Sequence, residues 1–159
     1  MQYLEILVKI RKIIRSINLE SKKIQKEFGI SIPQLLVLQY LSEQADYKAS
    51  GKDIKNYINL NASTVSGIVH RLEEKGLVAR LPNSKDKRGM FITLTAKGAD
   101  LLKESPTTLQ EKMSKRLKSL SQKQIEDLNS SIEILTQLMD AEDLDAAPLI
   151  TMNEILTSD

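Results

Sequence analysis

The middle of the chain places small hydrogen-bonding side chains and an arginine on one face of a predicted helix. Over residues 61–76 the apolar positions have the i, i+3, i+4, i+7 spacing of an amphipathic helix, and they are Val65, Ile68, Val69 and Leu72. The opposite face carries Ser63, Thr64, Ser66, His70 and Arg71. Hydroxyl and guanidinium groups hydrogen-bond to base edges and phosphates, and a helix N-terminus attracts phosphate. This face therefore predicts contacts in the major groove of double-stranded DNA.

For two of these residues, the sequence leaves more than one role open. Arg71 can contact guanine or phosphate, but its place toward the C-terminal end of the helix also fits a solvated charge. His70 is the only histidine in the chain, and both a DNA contact and an inert surface position remain open for it. A closed zinc site needs several further ligands, and the chain has no cysteine, so neither a metal nor another cofactor is predicted.

A second group of cations lies in a turn-rich segment between two extended runs. Residues 77–81 and 90–94 have strand character, and residues 82–89 between them combine turn formers with bases, which predicts a hairpin with a basic tip. Lys85, Lys87 and Arg88 can enter a minor groove, whose negative potential attracts cations. We interpret Asp86 as a local organiser that accepts hydrogen bonds from Arg88 or the turn backbone. A solvated charged loop is the alternative.

The remaining chain predicts the helices that must hold these groups in place. Apolar residues recur with a near-heptad spacing over residues 3–28, before Gly29, at Tyr3, Leu7, Ile10, Ile14 and Ile17. A short helix over residues 51–58 precedes the polar one, and the tight break between them is typical of a helix-turn-helix. A fifth helix is interrupted or kinked near Pro106, and a sixth follows it. The predicted N-caps are Ser31, Ser50, Asn61, Thr95 and Ser121.

Composition limits the class of protein. The chain has 159 residues, 41% hydrophobic and 28% charged, and no cysteine, which excludes disulfides and thiol chemistry. No apolar run predicts a signal peptide or membrane span, so we expect a cytoplasmic protein that does not bind a membrane.

Residues 71–97 contain seven basic and three acidic residues, whereas residues 140–159 contain six acids and no base. The basic segment favours a polyanionic partner. No phosphate loop, nucleophile elbow or catalytic set is present, so no enzyme is predicted.

The segments NASTVSGIVHRLEEKGLVAR (61–80), NSKDKR (83–88) and LTAKG (94–98) together resemble the multiple antibiotic resistance regulator (MarR) family. The resemblance extends over roughly residues 1–140. It implies a bacterial homodimer whose first, fifth and sixth helices interlock, with two lobes that read major grooves about 34 Å apart. Many members are repressors released by small phenolic or lipophilic effectors. The wing motif of the family maps onto Asn83, Lys85, Asp86 and Arg88, so Arg88 would be the minor-groove arginine.

Three departures from the family pattern affect what the resemblance implies. Gly67 stands where many relatives carry a larger polar or basic residue, which changes the expected sequence preference. Lys85 replaces the usual arginine and loses its bidentate geometry. The segment after Asp140 extends beyond the last helix of the family.

These observations give one reading of the whole chain. The expected fold is mainly α with a small β-hairpin, a winged helix-turn-helix lobe and a helical dimerisation region. The expected divisions are 1–30 for the N-terminal dimerisation helix, 31–98 for the DNA-binding lobe, 99–140 for the C-terminal dimerisation helices and 141–159 for an acidic extension. The expected function is a transcription regulator that binds a pseudo-palindromic operator as a homodimer, as a ligand-responsive repressor. The alternative is a winged-helix protein-interaction dimer with weak or no DNA binding, regulated by its acidic tail.

Overall fold

The computed structural model describes residues 1–85, 89–105 and 107–144. Over these ranges the chain forms seven α-helices, a short 3-10 turn at Ala45–Tyr47 and three strands. The elements are α1 (Gln2–Phe28), α2 (Ile32–Glu43), β1 (Lys48–Ser50), α3 (Gly51–Ile58), α4 (Ala62–Glu74), β2 (Val78–Pro82), β3 (Met90–Leu94), α5 (Ala96–Glu104), α6 (Leu109–Leu117) and α7 (Gln122–Leu138).

Helix α2 is the centre of the core. Every residue from Ile32 to Leu38 is buried, and so is Leu41. A helix that is apolar on nearly all sides must be covered on all of them, because exposed apolar area costs free energy in water. Helices α3, α4 and α5 and strand β3 pack around it. These elements meet in one apolar cluster that extends from Ile24 of α1 to Ile92 of β3.

The three strands form one antiparallel sheet in the order β1-β3-β2. Buried Ile92 of β3 pairs with Ala49 of β1 on one side and with Arg80 of β2 on the other. The predicted β2–β3 hairpin is confirmed, and we call it the wing. The sequence analysis missed β1, since a Lys-Ala-Ser tripeptide has no strand pattern of its own and is extended here by pairing with β3.

The predicted helix starts are confirmed. The side chains of Ser31, Ser50, Thr95 and Ser121 each accept a hydrogen bond from the backbone N–H three residues later, at 3.1–3.3 Å. Three of these form complete capping boxes, at Ser31, Ser50 and Ser121. Gly29 ends α1 with φ 66°, a left-handed conformation that glycine adopts without a steric cost.

The predicted interruption of the fifth helix is a complete break, which gives seven helices in the described ranges where six were expected. Helix α5 ends at Glu104, and Ser105 is extended, as residues before a proline usually are. Thr108, which is fully buried, then starts α6 with its own capping box to Glu111. Helices α5 and α6 are therefore two separate helices.

Glu20 joins α1 to the start of α6. Its Oε1 accepts a hydrogen bond of 2.5 Å from the Leu109 backbone N–H. Its Oε2 is buried, and no described group donates a hydrogen bond to it. Burial raises the pKa of the Glu20 carboxyl above its ordinary value, and the Leu109 hydrogen bond and the nearby Lys112 oppose this shift only in part.

The first prediction concerns Gly98, where α5 crosses the turn after α4. A Cβ at this position would overlap the Leu77 carbonyl oxygen and lie 2.8 Å from Leu94 Cδ1. We expect Gly98→Ala to lower the free energy of unfolding by about 1–3 kcal/mol, since the backbone must shift. Chemical denaturation measures it. The matched control is Gly67→Ala, where a Cβ meets nothing within 4 Å and the helix should gain up to about 1 kcal/mol. Equal effects at the two glycines would contradict the close packing.

The second prediction concerns the pH dependence of stability at Glu20. A raised pKa means that the folded state binds this proton more tightly than the unfolded state does. The resulting stabilisation is present below the ordinary pKa of a glutamate and is lost as the pH rises through the raised value. The wild type should therefore gain stability relative to Glu20→Gln as the pH falls from about 7 to about 4.5. Urea unfolding of both proteins across this range measures it, and a constant difference between them would contradict the prediction.

Candidate nucleic-acid interface

Helix α4 has the two faces that its sequence predicts. Its four buried residues are Val65, Ile68, Val69 and Leu72, which lie in the core. Asn61 starts the helix, because its Oδ1 accepts a hydrogen bond of 2.9 Å from the Thr64 backbone N–H. The helix is therefore fixed by an apolar side and by a cap, and its opposite side faces outward.

The most outward row of α4 contains Ser63, Gly67 and His70, which lie one turn apart. Ser63 and His70 are exposed, and a side chain at Gly67 would meet only open space. The Ser63 hydroxyl donates a hydrogen bond of 2.8 Å to Asn61 Oδ1, so its own oxygen remains able to accept one. His70 Nε2 lies 3.4 Å from Glu74 Oε1, with both side chains 64% exposed. This row is thus polar at Ser63 and His70, has no side chain at Gly67 between them, and is open to a ligand.

The other predicted residues flank this row on two sides. Ser66 is exposed on the side that faces the wing. Thr64 and Arg71 lie on the other side and are half-buried. Arg71 forms no ion pair with any residue in the described ranges, so its charge is not neutralised by a carboxylate there. Within the residues that the structure describes, no three His, Asp or Glu side chains lie close enough together to hold a metal ion.

A cleft of about 690 Å³ opens between α3, α4 and the wing. Three cations line it, which are Lys52 and Lys55 of α3 and Arg80 of β2, and Ser66 of α4 borders it. The sequence analysis did not assign Lys52 and Lys55 to the interface because it treated α3 only as support for α4, and it counted Arg80 only within the basic segment 71–97. The predicted helix-turn-helix could have pointed to the two lysines of α3. In this motif the first helix crosses the nucleic-acid backbone, so exposed lysines on that helix lie near phosphates.

Arg80 also fixes the wing to α4. Its Nε donates a hydrogen bond of 2.6 Å to Glu73 Oε2, which forms an ion pair between β2 and the end of α4. Both side chains are about one-third to two-fifths exposed, so water weakens the pair without removing it. The contact sets the position of the wing relative to the outward row of α4.

The wing is described up to Lys85 and again from Gly89. The Asn83 N–H donates to the Gly89 carbonyl at 3.2 Å, and the Lys85 N–H donates to Asn83 Oδ1 at 3.0 Å, which is a turn stabilised by an asparagine side chain. Lys85 is exposed, as predicted. The other predicted tip residues, Asp86, Lys87 and Arg88, lie outside the described residues.

The C-terminal end of α4 is tied to two other helices. Lys97 Nζ donates to the Lys75 carbonyl at 2.8 Å, and Thr95 Oγ1 donates to the Gly76 carbonyl at 2.7 Å, both from the start of α5. Lys75 Nζ in turn donates to the carbonyl of Gly29, the cap of α1. These bonds satisfy carbonyls that a helix end leaves unpaired and connect α4 to α1 and α5.

Known proteins resemble this chain in sequence and in fold. A model of the MarR family matches residues 30–90. The HTH-type transcriptional repressor IacR of Pseudomonas putida is 25% identical over 114 residues, which cover 72% of this chain and 67% of IacR. The HTH-type transcriptional regulator MgrA of Staphylococcus aureus is 29% identical over 109 residues, which cover 69% of this chain and 71% of MgrA. Sco3205 of Streptomyces coelicolor, a MarR family transcriptional regulator solved in complex with DNA, matches the fold with a TM-score of 0.62 and 21% identity, covering 86% of this chain and 84% of Sco3205.

The third prediction tests the cap that orients α4. We expect Asn61→Ala to lower the free energy of unfolding by about 1 kcal/mol, because the Thr64 N–H loses its acceptor. Asn61→Asp retains an acceptor oxygen at the helix N-terminus and should stay close to the wild type. Urea denaturation measures both variants. A loss of the same size in both would show that the cap does not stabilise α4.

Proposed function

We propose that this chain is a MarR-family transcription regulator that binds double-stranded DNA as a homodimer and represses transcription, since the MarR family model matches residues 30–90 and the similar curated proteins are transcription regulators. The observation that carries the proposal is the outward row of α4 beside a cleft lined by cations. Polar side chains able to reach base edges and cations able to neutralise phosphate occur here together, and sequence-specific binding requires both.

Each element has its own role in this proposal. Helix α4 enters the major groove, where Ser63, Ser66 and His70 face the bases. Thr64 and Arg71 reach the groove wall, and Arg71 contacts guanine or phosphate. Lys52 and Lys55 neutralise the backbone beside the groove, while Arg80 holds the wing against α4 through its ion pair with Glu73. At the wing tip, Lys85, Lys87 and Arg88 contact the minor groove, with Asp86 as their organiser.

The homodimer is supported by apolar side chains that one copy leaves uncovered. Helix α1 buries only Ile24, and α7 buries no residue. The exposed apolar residues of these two helices include Tyr3, Leu7, Ile14, Leu128, Ile132 and Leu138. A second copy that packs on these helices would remove this apolar surface from water. We accordingly assign residues 1–30 and 99–140 to dimerisation and residues 31–98 to DNA binding.

The rest of the proposal follows the family. The chain acts by binding and not as an enzyme, it operates in the cytoplasm, and a small phenolic or lipophilic effector releases it from DNA. No helix within the described ranges is both long and apolar enough to span a bilayer.

The fourth prediction tests DNA binding directly. Selection from a random duplex library should enrich a pseudo-palindromic site, and Arg88→Ala should weaken binding to that site by about 1–3 kcal/mol. The double variant Lys52→Ala/Lys55→Ala should weaken binding to selected and scrambled duplexes alike. It should also reduce the slope of log affinity against log salt by about 2, since two phosphate contacts are lost. Titrations at several salt concentrations measure both effects.

The matched control for this experiment is Lys123→Ala, which removes an exposed lysine of α7, outside the proposed DNA interface, and sedimentation first checks that this variant dimerises like the wild type. It should bind both duplexes as the wild type does. If no duplex were enriched, the proposed function would be wrong. If Arg88→Ala bound the selected site unchanged, only the wing assignment would be wrong.

A further inference from the structure

We propose that residues 145–159 of this chain bind in the cleft between α3, α4 and the wing and compete with DNA for it. This inference rests on the proposed function, because the competition requires that the cleft lies beside bound DNA. It adds a regulator of DNA binding that the chain itself carries. The structure describes the chain up to Leu144, and the 145–159 segment follows directly.

The cleft has an apolar base, which the DNA backbone does not need. Val65 and Val69 of α4 and Ile92 of β3 line it from the core. Ala62 and Met90 line its sides and are exposed, Met90 to 41%. A phosphate gains nothing from apolar neighbours, whereas an apolar side chain that covers them leaves water and is stabilised. The cleft therefore suits an occupant that is partly apolar.

The edge of the cleft is positively charged. Lys52 and Lys55 are exposed and lie three residues apart on α3, so they share a face of that helix. Neither forms an ion pair with a carboxylate of the described residues, whereas Arg80 is paired with Glu73. The two lysines thus leave positive charge beside the apolar base. An occupant that uses both features combines carboxylates with apolar side chains.

The 145–159 segment has this combination. It contains three acidic residues and no basic one, which are Asp145, Glu154 and Asp159. Its larger apolar residues are Leu149, Ile150, Met152, Ile155 and Leu156. The residues just before it continue the same chemistry, since Glu142 and Asp143 are exposed and Leu144 is 70% exposed. Its charge is thus opposite to that of the cleft edge, and its apolar side chains match the cleft base.

The segment is also long enough to cross the lobe. Fifteen residues span at most about 50 Å when extended. A domain of about 100 residues has a radius of gyration of about 13 Å, which corresponds to a diameter of about 35 Å. Tethering also gives the segment an effective concentration of about 1 mM. If the free peptide bound with a Kd of about 0.1 mM, the tethered segment would fill the cleft about nine-tenths of the time and weaken DNA binding about tenfold.

The first part of the experiment measures this contact without DNA. Chain 1–144 lacks the segment but keeps the turn that ends α7, in which the Ala141 N–H donates to the Thr136 carbonyl at 2.9 Å. Fluorescence anisotropy follows a labelled peptide of residues 145–159 as chain 1–144 is added at low salt. The peptide should bind with a Kd of about 0.1 mM, and full-length chain should bind it on the order of tenfold more weakly, because its own segment competes.

Variants locate the binding site and separate its two components. In chain 1–144, Lys52→Ala/Lys55→Ala should weaken peptide binding on the order of tenfold, since two charge contacts are lost. The matched control is Lys115→Ala/Lys118→Ala, which removes two exposed lysines at the end of α6 and should leave binding unchanged. A peptide with Leu149→Ser/Ile150→Ser keeps its charge and should also bind on the order of tenfold more weakly.

The second part measures DNA binding. Chain 1–144 should bind the selected duplex on the order of tenfold more tightly than full-length chain. Adding excess peptide to chain 1–144 should remove this gain. Full-length chain carrying Asp145→Asn and Glu154→Gln should bind DNA almost as tightly as chain 1–144, because the segment is then nearly uncharged.

Contrary results would separate the inference from the proposed function. The inference would be wrong if the peptide did not bind chain 1–144, or if it bound the cleft variant and the control alike. Equal binding of the serine peptide would reduce the contact to general charge attraction and overturn docking in the cleft. Equal binding of peptide by full-length and shortened chains would mean that the cleft serves peptides of other proteins instead. If neither form bound any duplex, the proposed function would be wrong, and the peptide titrations would still decide where the segment binds.

Discussion

The burial of α2 on every side is the constraint on which the lobe depends. Because Ile32 to Leu38 are all inside, each neighbouring element must turn an apolar face toward α2. For α4 this fixes Val65, Ile68, Val69 and Leu72 inward and leaves the Ser63, Gly67 and His70 row outward. The chemistry of the candidate interface is thus a consequence of core packing, since any rotation of α4 about its axis would expose core residues to water.

The position of α4 along its axis depends on polar contacts at its two ends. Asn61 caps the first turn, while Lys97 and Thr95 bind the last carbonyls from α5. Lys75 extends the connection to Gly29 at the end of α1. A change in the angle between α1 and the lobe must therefore break the Lys75 contact or move α4 with it. In a dimer whose interface contains α1, this contact couples dimer geometry to the spacing of the two reading helices.

Local signals in the sequence predicted much of the fold and only part of the interface. Periodicity and capping residues are short-range, and they identified the starts of α2, α3, α4, α5 and α7 and both faces of α4, but not the start of α6. Strand β1 was missed because its conformation depends on pairing with β3, which is 43 residues further along the chain. The cleft was missed for a similar reason. Lys52, Lys55 and Arg80 come together only after Gly76 reverses the chain and the Glu73–Arg80 ion pair sets the wing against α4.

Under the proposed function, ionic strength acts on two equilibria at once, DNA binding and dimerisation. Salt weakens contacts between the cations of the lobe and DNA phosphates by reducing the gain from counterion release. Salt also changes the strength of apolar burial between the two copies of the proposed homodimer. In the proposed complex the homodimer holds the second lobe near its half-site, so each lobe that binds raises the effective concentration of the other. The salt dependence of operator binding then contains a dimerisation component, and a phosphate count taken from its slope is valid only at protein concentrations well above the dimer dissociation constant.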